Sequence, residues 1–140
     1  MRKLALFATL LLPLSAGLLS LAARAAEPNI RLELNAVENA DNRCRMTFVI
    51  ENKTSHAVDS LKLDFALFNA EGAVYRRMVA DMGPVRASKT VVKTFATDGD
   101  CAQLGSVLVN EVTACLPGEP NACLDTLALS SRVKTVRLYK

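Results

Sequence analysis

Tryptophan is absent from this chain, histidine occurs once, at His56, and tyrosine only at Tyr75 and Tyr139. Carbohydrate platforms and base-stacking surfaces need several such rings, so neither has support here. An imidazole-centred mechanism would have to run through His56, within Asn52-Lys53-Thr54-Ser55-His56 and ahead of Asp59 and Ser60. Those residue types in one stretch are not a triad, which requires nucleophile, base and orienting group to converge in space. His56 reads as an exposed loop residue. Carboxylates are scattered over polar strand positions and turns, with no enclosing aromatics, which argues against a glycosidase. Asp98, Asp100 and Glu111 offer oxygen ligands for calcium, but Asp98-Gly99-Asp100 lacks the spaced acidic series of a dedicated loop and reads as a turn. No cofactor is implied.

Charge of one sign is also missing once the first residues are set aside. Met1-Arg2-Lys3 is basic, Leu4 to Leu21 is an almost unbroken apolar run, and Ala23-Arg24-Ala25 is a small-residue cleavage signal. Together they predict a secretory signal peptide, residues 1–25. The run approaches the length of a membrane span, but Pro13 and Gly17 interrupt it and its alanine-rich exit suits a peptidase better than a bilayer anchor. The start lacks a twin-arginine motif, and no cysteine precedes Cys44 to carry a lipid anchor. The expectation is a periplasmic or secreted protein, exported by the general route and free of the membrane after cleavage. The net charge of +3 counts 17 basic and 14 acidic residues; removing Arg2, Lys3 and Arg24 leaves 14 against 14. The apparent basicity belongs to the export signal and says nothing of nucleic acid.

Residues 26–140 suffice for one domain with a modest core. All four cysteines, Cys44, Cys101, Cys115 and Cys123, lie there. An even count in a small exported domain predicts two disulfides, with three connectivities open. Cys115 and Cys123 flank the turn-rich Leu116-Pro117-Gly118-Glu119-Pro120-Asn121-Ala122, so a bridge between them would close one loop and leave Cys44 for Cys101. The chain-entropy model assigns roughly 4 kcal/mol to the long loop and roughly 2 to 3 kcal/mol to the short one. The wide spacings and lack of neighbouring histidines fit neither a zinc site nor a Cys-x-x-Cys redox motif.

Alternation of period two dominates the rest. Ile30, Leu32, Leu34 and Ala36 alternate with polar residues, as do Cys44, Met46, Phe48 and Ile50, and Leu61, Leu63, Phe65 and Leu67. Gly72 can supply the positive φ of a hairpin turn before a strand from Ala73 to Val79. Further strands are expected over Thr90 to Ala96, Val107 towards Cys115, Leu124 to Leu129, and Val133 to Tyr139, with Ser130-Ser131-Arg132 shifting phase as a bulge. No stretch has helical periodicity beyond two turns. The expected fold is all-β, an immunoglobulin-like antiparallel β-sandwich of seven or eight strands.

Phe48-Val49-Ile50-Glu51-Asn52-Lys53-Thr54, followed by the segment from Leu61 to Gly72 with its closing turn, resembles the FxLYD type of small immunoglobulin-like domain in bacterial envelope proteins. That likeness spans residues 30–97. Cys44-Arg45-Met46-Thr47-Phe48 and the segment Cys123 to Arg132 are similar to a group of exported bacterial proteins over nearly the whole of residues 26–140. Neither resemblance brings a catalytic residue. Asn52-Lys53-Thr54 matches a glycosylation acceptor, a match without meaning in the bacterial host that the likeness implies.

The functional expectation is a non-enzymatic periplasmic binding or accessory module whose envelope protein partner docks on loops or a sheet edge. The alternative is an enzyme or thiol-redox factor whose site assembles only in three dimensions; a third is a subunit of an envelope assembly. Candidate partner-binding residues are His56, Asp125 and Arg132. Arg76, Arg77, Arg132, Lys134, Arg137 and Lys140 read as solvated faces and edge protection. Ser130-Ser131-Arg132 beside Asp125 either pins a strand switch or offers an arginine to a partner's carboxylate.

Overall fold

A computed structural model describes residues 29–140; the expected signal peptide, residues 1–25, and its cleavage point lie outside the described residues. Strands β1 (Ile30–Ala40) and β2 (Arg43–Asn52) form a hairpin around Asp41 and Asn42, whose φ values of 54° and 60° mark a two-residue turn matched to strand twist. Strands β3 (Ser60–Phe68) and β4 (Val74–Asp81) form the next, closed by Gly72 at φ 84°, with the Asn69 side chain accepting the Ala73 N–H at 2.8 Å. Strands β5 (Thr90–Asp98), β6 (Ser106–Leu116), β7 (Leu127–Ser131) and β8 (Arg137–Tyr139) complete the set.

The strands form two four-stranded sheets, ordered β5-β2-β1-β7 and β4-β3-β6-β8. Period-two alternation sends Leu32, Leu34, Met46, Phe48 and Ile50 inward from one sheet and Leu63, Phe65, Leu67, Val107 and Val109 from the other. Phe48 and Phe65 stack across the gap with ring centroids 5.2 Å apart. Each such side chain, fully buried, contributes roughly 1.5 to 3 kcal/mol, which is what holds the sheets face to face. The β-sandwich expected from the alternation is therefore present.

The stretch after Leu116 departs from expectation. The connection after Leu116 was expected as plain turn and Leu124 to Leu129 as strand; instead Pro120–Thr126 is a helix, α1, and β7 starts only at Leu127. Pro120 sits in the first turn, where its missing N–H costs nothing and its fixed φ suits a helix. At the C-terminal end Thr126 Oγ1 donates to the Ala122 carbonyl, and the Lys140 ammonium donates to the carbonyls of Leu124 and Asp125. A seven-residue helix shows too few turns for its period to be read.

The strand expected over Val133 to Tyr139 shortens to β8, and the phase shift before it is a crossing between sheets. Ser131 Oγ bonds the N–H and carbonyl of Val133, Val136 N–H donates to the Val133 carbonyl, and Arg132 Nε reaches Glu33 at 3.0 Å. The serine cluster thus pins a strand switch, as one of its two readings held. The sandwich is not wholly antiparallel: β7 runs parallel to β1 and, after the crossing, β8 runs parallel to β6, while the other pairs are antiparallel as expected.

Both disulfides join the expected partners, Cys44 with Cys101 and Cys115 with Cys123. Two disulfides are consistent with a protein that works outside the reducing cytoplasm. Among the described residues, no helix is long and apolar enough to cross a membrane. On the outer face of the second sheet Asp64 is only 5% exposed, beneath the Arg77 guanidinium and beside the Asn110 amide. The hydrogen bond from Arg77 holds the Asp64 carboxyl below its ordinary pKa, against the opposing effect of burial, with Asn110 adding to the lowering.

Candidate functional site

Two concavities mark opposite ends of the sandwich. Where β1 begins and β2 ends, a cleft of about 450 Å³ lies between the β2–β3 loop and the segment running from β6 into α1. At the other end, beside the β1–β2 turn, a hollow of similar size is lined by Asn39, Ala40, Asp41, Asn42, Gly99 and Asp100. The first is lined entirely by uncharged residues apart from titratable His56; the second is polar and acidic.

One wall of the cleft, formed by residues 54–58 of the β2–β3 loop, is held from behind by Asn52. Its side chain is 1% exposed, and its Nδ2 donates to the carbonyls of His56 at 2.8 Å, Val85 at 3.2 Å and Arg86 at 3.1 Å. Its Oδ1 accepts the Thr54 N–H at 3.0 Å and lies 2.8 Å from Thr54 Oγ1. A single amide therefore ties the loop to itself and to the segment before β5. Backbone bonds fasten the same loop to three neighbours: Lys53 N–H to Asn29, Val58 to Val85 in both directions, and Asp59 N–H to Leu116. His56 is carried on this fixed turn, with Nδ1 3.2 Å from Ser55 Oγ.

The facing wall is Leu116, Pro117, Gly118, the Cys115–Cys123 disulfide and Thr126. Cys115 is buried and Cys123 half-buried, so the bridge fastens α1 to the end of β6. Gly118 presses on it closely: a Cβ there would lie 3.1 Å from Cys123 Sγ. Ile30 and Val58 form an apolar floor. Leu116, 56% exposed, is one of four large apolar side chains exposed to water among the described residues.

Of the three candidate partner-binding residues, only His56 lines the cleft. Asp125 is exposed on α1 beside Thr126, its carbonyl taken by Lys140. Arg132 lies at mid-height along β1, its guanidinium directed to Glu33. The structure does not bring the three together. The oxygen ligands considered for calcium lie on different elements: Asp98 pairs with Arg43 at 3.5 Å and Arg76 at 3.8 Å, while Glu111 lies on the second sheet opposite Asp64. Asp100 caps the short 3-10 turn Cys101–Gln103, and the Ala102 N–H and Asn39 amide that it accepts hold its carboxyl below the usual range. Among the described residues no group of three or more metal-binding side chains is placed to hold an ion.

Several of the basic residues have partners within the molecule. Arg76 and Arg77 bind Asp98 and Asp64, and Arg137 lies 5.1 Å over the Tyr139 ring. Asn52 entered the sequence analysis only as a loop residue and glycosylation match, although an asparagine in a polar loop is also a signal for a turn in which its side chain accepts the N–H two residues on, as it does from Thr54. Its burial in that role leaves the glycosylation match without an accessible acceptor.

No family model matches the chain, and no curated protein is significantly similar to it. Its fold is similar to that in a structural characterization of IrmA from Escherichia coli, at TM-score 0.54 and 13% identity, covering 71% of this chain and 89% of that one. At that identity the likeness concerns the fold alone.

Proposed function

We propose that this protein is an exported, non-enzymatic binding or accessory module of the bacterial envelope, whose protein partner docks at the end of the sandwich that carries His56. The observation that carries this reading is the cleft itself: an uncharged concavity with one wall fastened by Asn52 and the other by a disulfide. Walls fixed before binding spare the entropy of ordering them, as binding surfaces on rigid scaffolds generally do. The likeness of residues 30–97 to FxLYD-type envelope domains points the same way. The test is a photo-crosslinking amino acid placed at Ala57, on the cleft, or at Thr47, on the outer face of the first sheet, in protein exported by a bacterial host. Protein adducts are expected from position 57 and not from 47; equal adducts, or none from either, would overturn the reading.

One observation keeps a thiol-redox role in view, namely that both members of the Cys115–Cys123 bridge line the cleft. Alkylation of the native protein under graded dithiol concentrations separates the two. A bridge that exchanges readily while Cys44–Cys101 stays closed favours redox work, and two equally resistant bridges favour the scaffold.

A further inference from the structure

We infer that the His56 cleft is a socket for an uncharged aliphatic or aromatic side chain, presented by an extended stretch of the partner polypeptide. This rests on the binding-module reading and adds what is bound. Charge decides the ligand class. Lys53 and Asp59 belong to the same loop but do not line the cleft, so a charged group entering it would lose hydration without gaining a counter-charge. An apolar group would instead cover Ile30, Val58, Leu116 and Pro117, a surface already poor in hydration.

Shape decides between a free small molecule and a polypeptide. The cleft is an open trough whose size falls in the roughly 300–1,000 Å³ of ligand sites, yet a free molecule lying in it would keep one flank in water. A polypeptide covers the mouth while its side chain fills the floor. The rim offers main-chain partners for such a segment: among the described residues, neither the N–H nor the carbonyl of Ala57 has a hydrogen bond within the protein. The His56 imidazole and the Asn29 amide flank the same opening. The hollow at the opposite end lacks this character, because it is lined by Asp41 and Asp100, with Asn39 bonded to Asp100 and Arg45 to Asp41.

The test uses the exported protein, both disulfides formed and labelled with nitrogen-15, titrated with capped glycine-serine pentapeptides bearing a central phenylalanine, leucine, aspartate or lysine. The two apolar peptides should shift the amides of Ala57, Leu116 and Gly118 saturably, and the charged ones should bind at least about tenfold more weakly. Leu116→Asp should weaken the phenylalanine peptide about tenfold or more, whereas Thr47→Asp should leave it unchanged. Leu116→Ala, expected to cost about threefold, serves if the aspartate variant does not fold. Equal binding of all four peptides, saturable shifts away from the cleft, or no saturable shift up to peptide solubility would overturn the socket. If the peptides fail while position 57 still crosslinks a partner, the binding module stands and the socket falls. Saturable apolar binding without any crosslink from position 57 sinks the protein-partner reading instead.

Discussion

The two ends of the sandwich each carry a disulfide and a hollow, but they solve opposite problems. The end around Asp41 and Asp100 is charged and internally satisfied: Arg43 and Arg76 hold Asp98, Arg45 reaches Glu38 and Asp41, and Asn39 holds Asp100. Its disulfide joins residues 57 apart in sequence and has Cys44 in the core. The end around His56 is uncharged and open, and its disulfide spans only 8 residues to hold a helix against a strand. One bridge chiefly restrains the unfolded chain, while the other chiefly shapes a surface. Polar groups that satisfy one another close a hollow to visitors; a braced hollow with few polar groups leaves its floor available.

Removing the bridges should separate these roles most strongly. Replacing Cys44 and Cys101 together by serine should cost about 4 kcal/mol in urea unfolding, against about 2.5 kcal/mol for Cys115 and Cys123, from the loop lengths alone. Equal losses would mean that strain or residual structure outweighs loop closure. Asn52→Ala comes next, because it strips a donor from three carbonyls at the cleft end; a loss of about 2 to 3 kcal/mol is expected by the same measurement. The amides of Thr54 to Val58 should then exchange with solvent faster, while those near Asp100 stay protected.

Smaller still is Lys140→Ala, which frees the last carbonyls of α1 and should cost about 1 kcal/mol, with altered amide shifts confined to α1 and the cleft. Acid should act at the other end. The depressed pKa of Asp100 means its carboxylate contributes stability above the ordinary carboxylate value near 3.8 and loses it as pH falls through the lowered one. The Ala102 amide shift should therefore titrate below that value, and Asp100→Asn should abolish the step. The uncharged cleft lining contains no carboxylate to respond. A carboxylate-range titration seen equally at Ala57 and Gly118 would break the contrast.

Strands β1, β2 and β3 were legible as alternation, because their core-facing residues recur at every second position, and β4, β5 and β6 as apolar or β-prone runs set off by turn residues. The disulfide pairing was legible for a related reason, since a turn-rich loop between Cys115 and Cys123 brings its ends together locally. What was not legible is the stretch after Leu116. Val133 to Tyr139 looks like a strand in composition, yet Ser131 and Arg132 spend their bonds on a crossing, and only Arg137–Tyr139 reaches a neighbour with which to pair. Helix α1 stays hidden because it is too short for its period to show and is held from outside itself, by the Lys140 side chain at its end and by the disulfide through Cys123. At the candidate site, His56 was identified as a loop residue, but not that it would face Thr126 across a cleft.

By itself the sequence determined the two-layer β-sandwich, the neutral charge of residues 26–140 and the two-disulfide pattern, since all three follow from local alternation and counting. Tertiary structure alone decided that the β2–β3 loop and the β6–α1 segment meet to make an uncharged cleft. Asn52 binds carbonyls more than thirty residues away, and no local pattern records which distant loop a buried amide will hold.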